Sequence, residues 1–361
     1  MHSAAQPSIQ TLFGIAHPVI QAPMAGVQGA ALAAAVSNAG GLGSLPAAML
    51  SLEALATELQ ALSHATAQPY NVNFFVHADP APDMAQAQQW RKLFAPFYAE
   101  FGIDPATVQL GAGRAPFSHA AADVLEVFRP AVVSFHFGLP APDLMARVKR
   151  WGSKVLSSAT TVKEAQWLEA QGVDAIIAQG WEAGGHRGVF LCDDPVAALS
   201  SQLSTLSLLP QIVASVKRPV IAAGGIACAA GVQAAFTLGA AGVQVGTAFL
   251  LCDEAATSAP HRAALQSEAA QHTALTNLFT GRPARGIVNR MMRELGALNP
   301  AAPAFPLAGA ASAPLRAVAE KLSSGDFSPL WAGQNASGCK AVPAAQLLRG
   351  LLINPLAKPL V

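Results

Sequence analysis

The feature that most restricts the fold of this chain is an alternation between short apolar runs and helical stretches of ten to fifteen residues. Eight runs stand out: Val19–Ala22, Leu42–Leu45, Asn71–Val76, Val132–Phe135, Val155–Ser158, Ala175–Ala178, Val220–Ala223 and Val243–Val245. Most are rich in Val, Ile, Leu or Phe, as expected of strands buried on both faces of a parallel sheet. Between them the spacing predicts helices over Ala30–Asn38, Leu52–Ser63, Ala120–Phe128, Asp143–Trp151, Val162–Gln171 and Ala229–Leu238. Most of these reach the next run within a few residues, which is how parallel neighbours are joined. Eight such units predict an α/β chain folded as a closed (β/α)₈ TIM barrel. An open doubly wound sheet would satisfy the same pattern, but no GxGxxG fingerprint follows the first strand. The stretch Ala85–Gly113 exceeds one connection and predicts extra helices.

After Phe249-Leu250-Leu251 the repeat stops, and the chain turns helical and then rich in Pro, Ala and Gly from Leu298 to Pro314. We therefore divide it into a barrel over 1–254, an added and mainly helical domain over 255–325, and a segment over 326–361 that returns to the barrel. The addition is expected over the carboxyl ends of the strands, where barrel active sites lie and a lid would exclude water. A peripheral decoration would have the same composition. With 52% hydrophobic and 12% charged residues in 361, the chain can bury a large core. A net charge of +1 argues against nucleic acid or an anionic membrane as partner. The segment Met1–Ser8 lacks a signal-peptide pattern, and no apolar stretch approaches the ~18 residues of a membrane span, so a cytoplasmic location is expected. Cys192, Cys228, Cys252 and Cys339 are far apart and read as free, mostly buried thiols without a metal site.

The residues with chemical character gather at the ends of predicted strands. After the sixth comes Gln179-Gly180-Trp181-Glu182-Ala183-Gly184-Gly185-His186-Arg187-Gly188. Its four glycines let the backbone approach a bound group, and His186 supplies a side chain that ordinarily titrates near neutrality. A tight turn whose histidine caps a helix is the alternative. After the first strand, Ala22, Pro23 and Met24 leave room for a planar group. Asn73 offers an amide among apolar neighbours, unless it is only a strand-end asparagine. Gly224-Gly225 follows the seventh strand and Gln244-Val245-Gly246-Thr247 the eighth, where barrels often bind phosphate through backbone N–H groups. His136, at the end of the fourth strand, faces the same mouth as either a pocket residue or a packed histidine.

These residues resemble those of the nitronate monooxygenases, formerly called 2-nitropropane dioxygenases, which are FMN-dependent barrels. The likeness spans most of the chain. Its carriers are Gln21–Gly26, Gly40–Gly43, Asn71–Phe75, Gln179–Gly188, Ala222–Ile226, Gln244–Ala248, Thr280–Gly286 and Leu330–Gln334, with Glu-Ala-Gly-Gly-His-Arg-Gly the most specific. The resemblance implies FMN with its phosphate on Gly225 and Gln244–Thr247, and with Ala22, Pro23, Met24, Asn73, Gln179, Gly184, Gly185 and Gly224 also near the cofactor. It makes His186 the catalytic residue and places His136, Phe305 and Gln334 in the substrate pocket. The implied reaction converts a small alkyl nitronate, such as propionate 3-nitronate, with dioxygen to a carbonyl compound and nitrite. A histidine of pKa ~6.5 against a flavin could take the α-proton of a nitroalkane or hold a nitronate.

The chain departs from that pattern in one respect. The family's nitronate-oxidising class carries tyrosines and a lysine around the stretch that here reads Asn299–Gly309, whereas this chain has only Tyr70 and Tyr98, and Phe305 stands where a tyrosine is expected. Two other readings remain open: a related flavin barrel that uses NAD(P)H, either a quinone reductase or an enoyl-thioester reductase, and a flavin- or phosphate-binding sensor without turnover.

Overall fold

We describe residues 8–81, 83–108 and 114–353 from a computed structural model, and among these described residues eleven strands form. In chain order they are β1 (Val19–Gln21), β2 (Gly43–Pro46), β3 (Tyr70–Phe75), β4 (Val132–His136), β5 (Lys154–Ala159), β6 (Ala175–Gln179), β7 (Gly185–His186), β8 (Val220–Ala223), β9 (Gly242–Val245), β10 (Thr273–Thr276) and β11 (Ala284–Ile287). Eight of them make one parallel sheet in the order β1-β9-β8-β6-β5-β4-β3-β2. A parallel bridge between Ile20 and Leu42 joins its two ends, so the sheet closes on itself. All eight predicted strands are present within one or two residues of the expected bounds.

The helices are α1 (Ile9–Phe13), α2 (Ala30–Asn38), α3 (Leu52–Ala65), α4 (Met84–Lys92), α5 (Ala95–Glu100), α6 (His119–Phe128), α7 (Pro142–Arg150), α8 (Val162–Ala170), α9 (Thr205–Ser215), α10 (Ala229–Thr237), α11 (Ala259–Leu265), α12 (Arg290–Leu295), α13 (Gly309–Lys321) and α14 (Ala344–Leu352). Their starts follow side-chain capping: Ser51, Ser118, Thr161 and Ser204 each accept from a backbone N–H in the first turn of the following helix. Among the described residues no helix is long and apolar enough to cross a membrane.

Of the hydrophobic clusters among the described residues, the three largest follow from this arrangement. The largest lies between the barrel strands and their helices, where Val72, Val133, Val155 and Ile176 meet Leu32, Leu125, Val148 and Leu168, all fully buried. Inside the barrel, Ile20, Leu42, Val132, Leu156 and Ile221 pack with Ile9 and Phe13 of α1, which plug the end where the strands begin. The third core belongs to the addition. There Trp90, Phe94, Phe97 and Tyr98 pack against Met291, Met292, Leu315 and Phe327. Trp90 Nε1 donates to the Ala308 carbonyl at 2.9 Å and the Tyr98 hydroxyl to that of Ala311 at 2.6 Å. The helices expected within Ala85–Gly113 thus form, and they join the addition; residues 109–113 of that stretch lie outside the described residues, as do Met1–Pro7 and 354–361.

Two findings differ from the sequence reading. The segment 255–325 carries strands besides helices: β10 and β11 pair antiparallel, and β11 also pairs with β7, with Ala284 opposite His186 and Arg285 opposite Gly185. The histidine loop of the barrel is therefore an edge of the addition's own sheet. The cysteines are free, but only Cys252 is buried; Cys192 and Cys339 are half-buried and Cys228 is exposed. A cysteine at the start of α10 faces solvent because the side of that helix which packs on the sheet begins at Val232.

Candidate active site

The carboxyl ends of the barrel strands open into a cleft of about 1300 Å³, counted to its open mouth. Its wall includes Ala22, Pro23 and Met24 after β1, Asn73 and Phe75 of β3, Ser134 and His136 of β4, Ser158 of β5 and Gln179 of β6. Gly184, Gly185 and His186 line it from the loop after β6, Gly224 and Gly225 after β8, and Gln244, Gly246 and Thr247 from β9 onward. The structure thus brings together residues that are up to 225 positions apart, from Ala22 to Thr247.

The loop after β6 is held by groups whose valences are spent within it. Gln179 accepts from the Gly188 N–H at 2.8 Å and donates Nε2 to the His186 carbonyl at 2.9 Å. Arg187 is fully buried and donates to the carbonyls of Gly180 (2.6 Å) and Gln179 (2.9 Å) and to Gln202 Oε1 (2.7 Å). Glu182 accepts from the Thr205 N–H and hydroxyl, each at 2.8 Å, which ties the loop to the start of α9. Gly184 is required by close approach: a Cβ there would lie 2.5 Å from Gly333 N and 2.6 Å from the Ala332 carbonyl carbon. Gly224 (φ 121°) and Gly225 (φ 70°) adopt backbone that side chains disfavour, and they leave a bare surface facing the cleft.

His186 sits where barrel and addition meet. Its Nε2 lies 2.9 Å from the Thr280 hydroxyl, which is also 3.3 Å from the Arg282 carbonyl. Four aromatic rings, Phe75, Phe137, Phe305 and Trp331, surround the imidazole at centroid distances of 5.5–5.8 Å. His136 Nε2 donates to the His186 carbonyl at 3.2 Å, which leaves its Nδ1 to accept from the Ser158 hydroxyl at 3.1 Å. Phe137 next to it has φ 74°, an uncommon strain for an aromatic residue, with the Arg282 guanidinium 4.2 Å from its ring centroid.

These surroundings overturn the expectation of a histidine near its ordinary pKa. Burial first, then the positive charge of Arg114, with His136, Arg282 and His77 contributing, pushes His186 well below the usual value. Burial likewise lowers His136 to about 4. Both imidazoles are therefore neutral at pH 7.

Three predicted site residues are not on the cleft wall. The Val245 side chain turns into the core between sheet and helices, because strand residues alternate faces and Gln244 takes the inward one. Gln334 lines an outer groove with Leu206 and Leu238 that adjoins the cleft at Gly224, Gly225 and Asn335, and its N–H donates to the Glu182 carbonyl. Phe305 is buried behind the cleft, against His77 (4.7 Å) and Phe75 (6.0 Å). Both tyrosines are also remote from the cleft wall: Tyr98 is in the addition's core and Tyr70 in the barrel shell. Conversely, Arg114, Trp331 and Asn335 line the cleft, and Thr280 and His77 support it, although the sequence reading assigned none of them a role. Trp331 and Thr280 stand inside motifs already singled out; Arg114 and His77 carried no signal.

Comparison with known proteins agrees with this geometry. A profile of the nitronate monooxygenase family matches residues 6–354. A nitronate monooxygenase of Pseudomonas aeruginosa is 43% identical over 349 residues, covering 94% of this chain and 97% of that protein. Among solved structures, a nitroalkane oxidase from Streptomyces ansochromogenes superposes with a TM-score of 0.87 at 38% identity, over 96% of both chains. FabK from Thermotoga maritima is more distant, with a TM-score of 0.68 and 25% identity over 96% of this chain and 95% of that one. The chain belongs to the nitronate monooxygenase family.

Proposed function

We propose that this protein is an FMN-dependent nitronate monooxygenase that oxidises small alkyl nitronates with dioxygen to a carbonyl compound and nitrite. The observation that carries the reading is a neutral imidazole, His186, set in a cleft across from a bare glycine surface and among guanidinium groups. The residues present fit the flavin. Gly224, Gly225, Gly246 and Thr247 offer a side-chain-poor cradle for its phosphate, and Ala22, Pro23 and Met24 a flat wall for its ring. Asn73 has its amide nitrogen engaged by Ser134 Oγ at 2.9 Å, so its oxygen is what it can offer a ligand. FMN bound there supplies the electron acceptor for the nitronate and the group that passes electrons to dioxygen.

The chain's own contribution is protonic and electrostatic. The Thr280 hydroxyl can donate to the Arg282 carbonyl and accept from His186 Nε2–H, which leaves Nδ1 as the basic atom. That atom takes the α-proton of a neutral nitroalkane, or with a proton on it donates to a nitronate oxygen. The Arg282 guanidinium favours the negative charge that develops on the nitro group as the proton leaves. Phe75, Phe137, Phe305 and Trp331 exclude water from the imidazole, and 255–325 acts with α4 and α5 as a cap over this wall.

An anaerobic absorbance titration tests the assignment. A prompt change in the flavin spectrum with propyl 1-nitronate and none with NADH is expected. Full bleaching by NADH with the nitronate inert would move the protein to an NAD(P)H-dependent reductase.

A further inference from the structure

Arg114 lines the cleft, half-buried. Among the described residues it forms no ion pair, and its Nε is buried with no hydrogen-bond partner. Its one side-chain contact to an acceptor is Nη2 to the soft sulfur of Met49, at 3.7 Å. The guanidinium lies 5.9 Å from the Phe305 ring centroid, and the other charge acting on it is the like charge of Arg316. A guanidinium presents five donors in a planar fork suited to a carboxylate, and burying it unpaired is costly. This one is nevertheless held in place. His77 Nε2 donates to the Arg114 carbonyl at 2.9 Å, and three residues on the Phe117 N–H donates to the Phe75 carbonyl at the end of β3.

Its position in the barrel separates it from the glycine cradle. In the closed order of eight strands, β3 stands four places from β8, which is diametrically across the mouth. Gly224 and Gly225 follow β8, so a phosphate seated there is served from the opposite side. His186 lines the same cleft, close enough to Arg114 for that charge to be the strongest of those lowering its basicity.

We infer that Arg114 is a specificity-determining residue whose guanidinium takes a second anionic group, a carboxylate at the far end of the substrate chain, while the nitronate end meets His186. The inference rests on the nitronate reading and adds to it which substrates are preferred and by what contact. A two-point anchor of this kind acts on binding more than on chemistry, because the carboxylate contact is the same before and during the reaction.

The test compares two nitronates of equal chain length on the flavin-loaded enzyme: propionate 3-nitronate, which ends in a carboxylate, and propyl 1-nitronate, which ends in a methyl group. Arg114→Met is expected to lower kcat/KM for the first about 100-fold, mainly through KM, and to change the second less than about 3-fold, since a good charged contact is worth a factor of that order. Arg114→Lys should recover part of the loss. Equal losses on both substrates would overturn the inference and make Arg114 part of the reaction centre. Loss of flavin from Arg114→Met would overturn it in favour of a phosphate contact; unchanged flavin content and thermal midpoint are expected, and they also show that the variant folds. Binding of 3-nitropropionate, followed by flavin absorbance, probes the subsite apart from turnover. Wild-type binding that Arg114→Met abolishes supports the subsite even if both nitronates were inert, an outcome that would sink the functional reading alone. Wild-type enzyme indifferent to the carboxylate in both assays would refute the inference.

Discussion

A histidine that the fold keeps neutral reports on pH in two ways. His136 and His261 are held at about 4 by burial, and His186 is also driven down. Below pH ~6.5 the unfolded chain binds protons that the folded chain refuses, so stability present at neutral pH is lost as the pH falls toward 4. For His136 and His261 the loss approaches roughly 3 kcal/mol each by pH 4. Thermal unfolding should show the midpoint falling steadily from pH 7 to pH 5; a flat profile would contradict the burial of these imidazoles. In catalysis, His186→Asn should keep the flavin yet lose about 100-fold or more in kcat/KM for nitroethane, with a smaller loss for ethyl nitronate, which is already deprotonated at the α-carbon. A variant that loses its flavin instead would make His186 a cofactor anchor. The sequence made His186 legible through its glycine-rich surroundings, and Asn73 through an apolar context. It left Arg114 silent, since an arginine in a stretch of Gly and Ala shows no period, and its place on the cleft wall is a long-range fact. It also suggested an ordinary pKa, because neither the burial of His186 nor the approach of Arg114 is local in the chain.

At the scale of elements, the histidine loop is held between two backbones. The close approach of Gly184 to Ala332 and Gly333 leaves no space for a methyl group. Gly184→Ala should force the loop and the Leu330–Gln334 segment apart at a cost of about 1–3 kcal/mol. Differential scanning together with the flavin content of the purified variant would register this, and an unchanged thermal midpoint would contradict the contact. Barrel strands were readable because most of them are short runs rich in Val, Ile, Leu or Phe that recur between helical stretches. The small sheet was not: β7 is two residues, one of them glycine, and β10 and β11 are four each with mixed polarity. Pairing partners found about a hundred residues apart, such as His186 and Ala284, supply the order that local pattern does not.

For the whole molecule, the separate core of the addition predicts separate responses to truncation. Phe327 is fully buried there, edge-on to Phe97 and Phe101. Phe327→Ala should cost about 3–5 kcal/mol, felt first in the addition. Hydrogen exchange should then rise in 84–108 and 278–327 before it rises in β4, β5 and β6; uniform loss of protection would instead show one cooperative core.

The pairing of β7 with β11 has a further consequence for how such a protein can be altered. The His186 ring is hydrogen-bonded to Thr280 and the next residue's N–H, that of Arg187, donates to the Pro283 carbonyl, so the mooring of the histidine is inherited from the later half of the chain, although the residue itself belongs to the barrel. Barrel and cap cannot be exchanged between relatives as independent parts. A chimera that joins one protein's barrel to another's cap would have to carry the Thr280–Ile287 segment and the Gln179–Gly188 loop from a single parent, or lose the alignment of its imidazole while each half remained folded.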